Sequence, residues 1–523
     1  MAPAKTALAT LVFLATATAS AQHLMVEAQI HTGAVVGTNV LQVHLNDHGG
    51  NPVKDATVTL AVNMTTMDMG VKRPPVTNHN DGTYTATVTF SMAGPWKVDV
   101  TAKSPTAGEA TQSFEFRTGA GETPAPQTMQ GRLNTWGMQK EGSGTSLLPE
   151  SSPMYMKHLG NRSGYDLSAM GFVTYNFTDA GGERGDSRFY SNSMLMLMGN
   201  RIDGRHTKGF SVMLSLDPVF NGQFGYPNLF QTGETAYGVP LTDFQHPHDL
   251  FVEVAVTHSY DIGNGARVFA YGGPVAEPAL GGPTFMHRPS GVEIPEAPIG
   301  HHWFDSTHIA WGVATLGVNN DKWQVEGSLF NGHEPDENRY SPDNIGLNSV
   351  SGRITHTPSK DLAFNASYGF LDEPEPDEPG VSQHRLTASA AWNRQLSGGA
   401  NLAVTAAFGR NYKEGESTDA FLLEGTYSRG DTTYFARWEN VAKDELGGVP
   451  PGTYKVNKLL VGGVKEIKKF QGLDLGVGAY AGFYSFPSSL DAFYGSSPVT
   501  LGVFVRLRPS KMQGGTHAGH MGH

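Results

Sequence analysis

Cysteine is absent from all 523 residues. Its absence excludes disulfides, thiolate metal centres, cysteine nucleophiles and a lipid anchor attached through a cysteine behind a leader. Basic residues are in deficit: 37 Lys and Arg against 49 Asp and Glu leave a formal charge of −12, which removes the electrostatic footprint of nucleic-acid binding. Long apolar runs are missing too. Past the N-terminal segment no stretch of about eighteen apolar residues occurs, so no helix is expected to span a bilayer. No GxSxG elbow, HExxH pair or phosphate-cradling glycine loop is found, and the chain is not expected to be an enzyme.

What is present is alternation. From about Leu167 to Arg508 the chain repeats stretches of roughly ten residues in which every second side chain is apolar, the pattern of a transmembrane barrel strand. Leu473, Leu475, Val477, Ala479, Ala481 and Phe483 alternate with Asp474, Gly476, Gly478, Tyr480 and Gly482. One such stretch also fits a half-buried strand of a soluble sandwich, so the number of them decides. Sixteen can be counted, the first near 167–180 and the last near 497–508. Tight turns at Gly263-Asn264-Gly265, Asn319-Asn320-Asp321, Ser359-Lys360 and Ser397-Gly398-Gly399 take turns with long connections at 220–248, 276–305, 333–345 and 444–453. A glycine-rich chain with only 39% hydrophobic residues suits this, because half of each strand faces a polar lumen.

The expected class is therefore all-β: an immunoglobulin-like sandwich followed by an antiparallel outer-membrane β-barrel of about sixteen strands. Residues 1–21 read as a signal peptide, with Lys5, an apolar core from Leu8 and Ala19-Ser20-Ala21 before the cut. Residues 22–118 carry four alternating stretches, 41–45, 57–62, 83–88 and 96–100, separated by turn signals at sandwich spacing. Residues 119–166 are rich in Gly, Pro, Ser and Thr and read as a linker or as a plug. The barrel covers 167–508, and 509–523 is a His/Met tail with His517, His520, Met521 and His523, a composition that binds metals loosely. Short turns of such barrels face the periplasm, which places both termini and the sandwich there.

Three groups point to metal chemistry. Met64, Met67 and Met69 lie close in the sandwich, with Met92 one strand later; thioethers suit Cu(I) and bind hard ions poorly. Core methionines filling gaps are the alternative. His246-Pro247-His248-Asp249 ends one long loop, which also carries Glu234. His301, His302, Asp305 and His308 end the next, and His287 and His333 add to them. Imidazoles beside carboxylates are ordinary ligands for zinc, copper or another divalent ion, expected at the outer rim. Histidines hydrogen-bonding across a pore are the alternative. Glu334, Asp336, Glu337 and the run from Asp372 to Glu378 sit in proline-rich loops and read as solvated groups that draw cations to a pore mouth.

Together with Phe90-Ser91-Met92-Ala93-Gly94-Pro95-Trp96, the methionine group makes residues 22–118 resemble the YtkA-like or FixH-like envelope β-sandwich family. Members often occur with copper-handling and oxidase-assembly proteins, so the resemblance implies copper. The segments 230–238 and 245–249 resemble a group of bacterial envelope barrels, which implies a fold and no activity. The leading expectation is an outer-membrane barrel, in contact with lipid, that binds or passes transition metal ions, copper first. A general porin or structural protein contacting another envelope component is the second reading. A hydrolase in which Asp249 or Asp305 helps activate a metal-bound water is the third.

Overall fold

The computed structural model describes residues 24–512 except 31–33, 35, 48–50, 66–69, 93, 119–129, 135 and 377. Residues 1–23, on which the expected signal peptide falls, Met67, Met69 and the tail from 513 onward lie outside the described residues. Among the described residues no helix is long and apolar enough to cross a membrane.

The N-terminal unit is a sandwich of two antiparallel sheets. One takes the order Leu24–Gln29, Gly37–Asp47, Thr83–Phe90, Val76–Asn78; the other takes Thr57–Met64, Gly94–Ser104, Gly108–Thr118. Alternation decides which side chains meet between them: Leu41, Val43 and Leu45 from one sheet bury against Leu60, Val62, Val98 and Val100 from the other. Trp96 is 1% exposed, lies 5.2 Å from the ring of Phe90, and donates its Nε1–H to the Met92 carbonyl at 3.0 Å. Trp96→Ala is expected to destabilise the purified 22–118 domain by about 3–5 kcal/mol through the cavity it leaves. Urea unfolding followed by circular dichroism would read this, and an unchanged midpoint would remove Trp96 from the core.

A second compact unit spans Thr128–Gly514. Sixteen antiparallel staves close it into a barrel, from Tyr165–Ala180 round to Val499–Pro509, whose last strand pairs back with the first over Thr500↔Ala180 to Leu507↔Val173. Ser187–Tyr190 and Ser193–Asp203 share one stave, interrupted at 191–192, and Met156–Arg162 continues the line of the last strand alongside the first. All sixteen expected stretches are strands, because period-two alternation is a local signal that each segment carries by itself.

The wall is inside out. In Trp323–Phe330, Trp323, Val325 and Leu329 face outward while Gln324, Glu326 and Ser328 are buried. Leu316, Val256 and Leu501 are exposed by 71%, 66% and 55%, whereas Arg353, Arg385, Glu424 and Arg437 are almost fully buried. An apolar belt around a charged interior is the arrangement of an outer-membrane β-barrel, with lipid against the belt. At one end every turn is short. Gln471-Gly472, with φ of 51° and 79°, is a two-residue turn of the kind that matches strand twist. The other end carries the long loops, and both ends of the barrel segment lie on the short-turn side.

Two segments fill the lumen. The stretch before the barrel is a plug: Arg353 Nη2 donates to Thr145 Oγ1 at 2.8 Å, Gln324 Nε2 to the Thr145 carbonyl at 2.6 Å, and Asn393 Nδ2 to the Ser151 carbonyl at 2.6 Å. From the long-loop end, the connection after Ala266–Ala276 turns inward. Its Arg288 meets Glu424 at 2.7 Å, its Glu296 meets Lys458 at 2.7 Å, and its Glu293 pairs with Arg506 and Arg508. These wall charges find partners on an inward segment, and others pair across the wall, as Arg353 does with Glu326 and Arg437 with Glu424, which is how so many charges stay buried.

Candidate metal centre

The long loops do not stand at an outer rim as expected from sequence; they fold inward and bury His246, His248, His301, His302 and His308, while His333 stays exposed. His246 and His248 follow a hairpin of Tyr226–Ala236 and Val239–Gln245, and His301, His302 and His308 sit on the short helical turns His301–Phe304 and Ser306–His308. Buried wall groups hold those turns in place: Glu439 accepts from the Gly300 N–H at 3.0 Å, Trp303 Nε1 donates to Thr418 Oγ1 at 3.0 Å, and Asn411 Nδ2 donates to the His302 carbonyl at 3.2 Å. Gly233 allows the hairpin to close over the site, because a Cβ there would overlap the His302 ring.

Five imidazoles now form one cluster. Ring centroids are 5.2 Å apart for His248 and His308, 5.3 Å for His301 and His308, 5.5 Å for His301 and His302, and 6.2 Å for His246 and His301. Two rings bound through Nε2 to one tetrahedral ion at about 2.0–2.1 Å have centroids roughly 5 Å apart, so neighbouring pairs stand at ligating distance, although among the described residues no three of these imidazoles bring ligand atoms within 4.8 Å of one another. Four of the five Nδ1 atoms are engaged: His248 with Asp217 at 2.8 Å, His301 with Asp305 at 2.7 Å, His308 with the Asp305 carbonyl at 2.8 Å, and His246 with Glu234 at 3.0 Å. Every Nε2 in the cluster is buried without a hydrogen-bond partner. A carboxylate or carbonyl on one nitrogen and nothing on the other is the arrangement that orients a metal-binding imidazole. Burial pushes His246 and His308 well below the ordinary histidine range and His301 down to about 4, so these rings are neutral and their nitrogens free to donate.

His302 stands apart in its chemistry. With Glu334 and Glu375 it forms the one group of three among the described residues whose ligand atoms all lie within 4.8 Å of one another. Its Nδ1 is 2.9 Å from Glu334 and 3.5 Å from Glu375, at angles too bent for a hydrogen bond. Burial disfavours charge on all three. Even so, the two carboxylates hold the His302 imidazole well above its usual range, and burial together with Glu375 pushes Glu334 up to about 8. Two carboxylates and an imidazole, withdrawn from water, stand close enough together for one cation to meet all three.

The sequence-derived candidates thus divide. His246, His248, His301, His302 and His308 come together, whereas Asp249 and Asp305 orient other groups. Asp249 accepts from Trp311 at 3.2 Å and from Arg339 at 3.3 Å; Asp305 takes His301 on one oxygen and Arg288 and the Phe285 N–H on the other. Glu334 and Glu375 correct the reading of the acidic loops as solvated, since their side chains are 7% and 6% exposed and face His302. Asp217 was invisible in the sequence, having no histidine near it until the barrel closes. In the sandwich, Met64 belongs to the hydrophobic core and Met92 packs against it, so both fill space there. Met67 and Met69 lie outside the described residues.

Residues 18–101 match the YtkA-like family. No curated protein matches the chain significantly in sequence. Among solved structures, it is similar to outer-membrane-expressed OmpT of Vibrio cholerae, at 12% identity and a TM-score of 0.39 over 67% of this chain and 100% of that one. It is also similar to an anion-selective porin from Comamonas acidovorans, at 12% identity and TM-score 0.39 over 66% and 99%. Pseudomonas putida OprB gives 11% identity and TM-score 0.42 over 66% and 94%.

Proposed function

We propose that this outer-membrane barrel binds transition metal ions and passes them by movement of its inward segments, with copper the first candidate and zinc or another divalent ion the second. The observation that carries the reading is the buried set His302, Glu334 and Glu375 beside four imidazoles whose Nε2 atoms have no partner. Nitrogen and carboxylate donors suit Cu(II) and Zn(II). A general porin is the weaker account, because the plug and the inward loop occupy the lumen that a porin leaves to water. In this reading the short turns and the sandwich face the periplasm, the ion is cargo, and the chain is not an enzyme.

The test is elemental analysis of the detergent-purified protein after chelation, reloading with Zn(II) or Cu(II) and desalting. Wild type is expected to retain metal. His302→Ala combined with Glu375→Gln, and separately His301→Ala combined with His308→Ala, are expected to lower affinity about tenfold or more. Heat-modifiable migration on electrophoresis shows whether each variant is folded. Folded variants that hold as much metal as wild type would remove the proposal.

A further inference from the structure

Methionines gather a second time, inside the barrel. Across four neighbouring strands Met156 is paired with Met170, Met170 with Met196, and Met196 with Met213, a continuous row at a single register level. Directly opposed residues have Cβ atoms about 4.5–5.5 Å apart, so flexible thioethers in such a row reach one another. Met194 and Met198 flank Met196 on the same buried face. Met138 from the plug and Met286 from the inward loop come in from the lumen side.

Gap-filling is the ordinary use of methionine, and here the gap persists. A cavity of about 90 Å³ remains between the row, the plug and the inward loop, and eight of the chain's 18 methionines line it. A single water needs only ~10–15 Å³ measured this way. His287 also lines the cavity, and its buried Nε2 has no hydrogen-bond partner. The two guanidiniums at the margin do not oppose a cation, because Arg132 is neutralised by Glu141 and Arg508 by Glu293 and Glu466. A smaller cavity of about 20 Å³ shares Phe172, Met286 and Val292 with the first and is lined by His248, so the methionine chamber adjoins the histidine cluster.

We infer that the methionine row and its cavity are a binding site for a soft, thiophilic monovalent cation, Cu(I), with thioethers of the row as ligands and the His287 Nε2 within the same chamber. Thioethers and imidazole bind Cu(I) and reject hard ions, whereas the His302 set takes divalent ions. The barrel therefore carries two sites of different softness, and the cavity beside the methionine chamber reaches the histidine cluster at His248. This site stands on its own residues and does not depend on the reading of the His302 set.

Competition with a chromophoric Cu(I) chelator under ascorbate, on the full-length detergent-purified protein, tests it. Met170→Leu, Met194→Leu and Met196→Leu together conserve volume closely and remove three thioethers that line the cavity. The triple variant is expected to lose Cu(I) affinity about tenfold or more while Zn(II) retention is unchanged. Met196→Leu alone, the gentlest change, is expected to lose part of it. X-ray absorption of the Cu(I) form is expected to show sulfur neighbours, and His302→Ala to leave Cu(I) binding intact. Undiminished Cu(I) affinity in the folded triple variant, or a first shell of nitrogen and oxygen alone, would overturn the inference. So would Cu(I) binding abolished by Met67→Ala with Met69→Ala and untouched by the row. Loss of Zn(II) retention alone in the His302→Ala variant bears on the proposed function and leaves this site standing.

Discussion

Replacing residues 278–300 with a short glycine–serine linker is expected to turn a nearly non-conducting barrel into an open channel in planar bilayers. A wall of sixteen strands encloses an aqueous lumen unless something fills it. Here Arg288, Glu293 and Glu296 of the inward loop are held by Glu424, Arg508 and Lys458, at 2.7, 2.5 and 2.7 Å. Without the loop those wall charges face water, which solvates them at little cost, so the wall survives while the constriction goes. The plug at 130–155 would remain, bonded through Thr145 and Ser151, and conductance is expected to rise again when Arg353→Ala loosens it. Wild-type conductance equal to that of the loop-deleted barrel would show that the inward loop does not close the pore.

Glu424→Leu is expected to cost about 3–5 kcal/mol, the largest loss of stability from a single side chain in the barrel. Glu424 accepts from Arg288 Nε at 2.7 Å, Ser290 Oγ at 3.0 Å and Arg437 Nε at 2.9 Å, and its side chain is fully buried. Removing it leaves the Arg437 guanidinium without a carboxylate partner away from water, close to Arg288, which keeps only Asp305. Guanidinium unfolding followed by tryptophan fluorescence would measure the loss. Adding Arg437→Leu is expected to restore most of it, since the cost lies in the unpaired charge and not in the missing carboxylate, while Arg288 keeps Asp305. A double variant no more stable than Glu424→Leu would show that the network contributes through packing.

The barrel was legible because each strand announces itself. Alternation such as Leu501, Val503, Val505 against Thr500, Gly502, Phe504 needs no partner to be recognised, and the turns between strands follow from glycine and asparagine at their tips. The histidines were legible as ligand types. Their surroundings were not: Glu334 and Glu375 sit among prolines and other acids, and nothing local distinguishes a carboxylate that meets water from one that meets His302. The methionine row is the clearest omission. Met194-Leu195-Met196-Leu197-Met198 alternates like any strand and was a usable signal, but its link to Met156, Met170 and Met213 exists only in the register between strands.

By itself, then, the sequence determined the strand number, the face of each strand that meets lipid, the sandwich ahead of the barrel and the donor types available for a metal. Those depend on side-chain alternation and residue chemistry, which act over a few neighbouring residues. Only the tertiary structure decided that 130–155 is a plug, that the histidine loops turn inward, that Asp249 and Asp305 orient other groups while Glu334 and Glu375 face His302, and that the methionines form a row. Each of these rests on pairing between residues far apart in the chain, such as Thr145 with Arg353 or Glu293 with Arg508. Buried charge finds its partner only once the barrel has closed, and no local pattern specifies which partner that is.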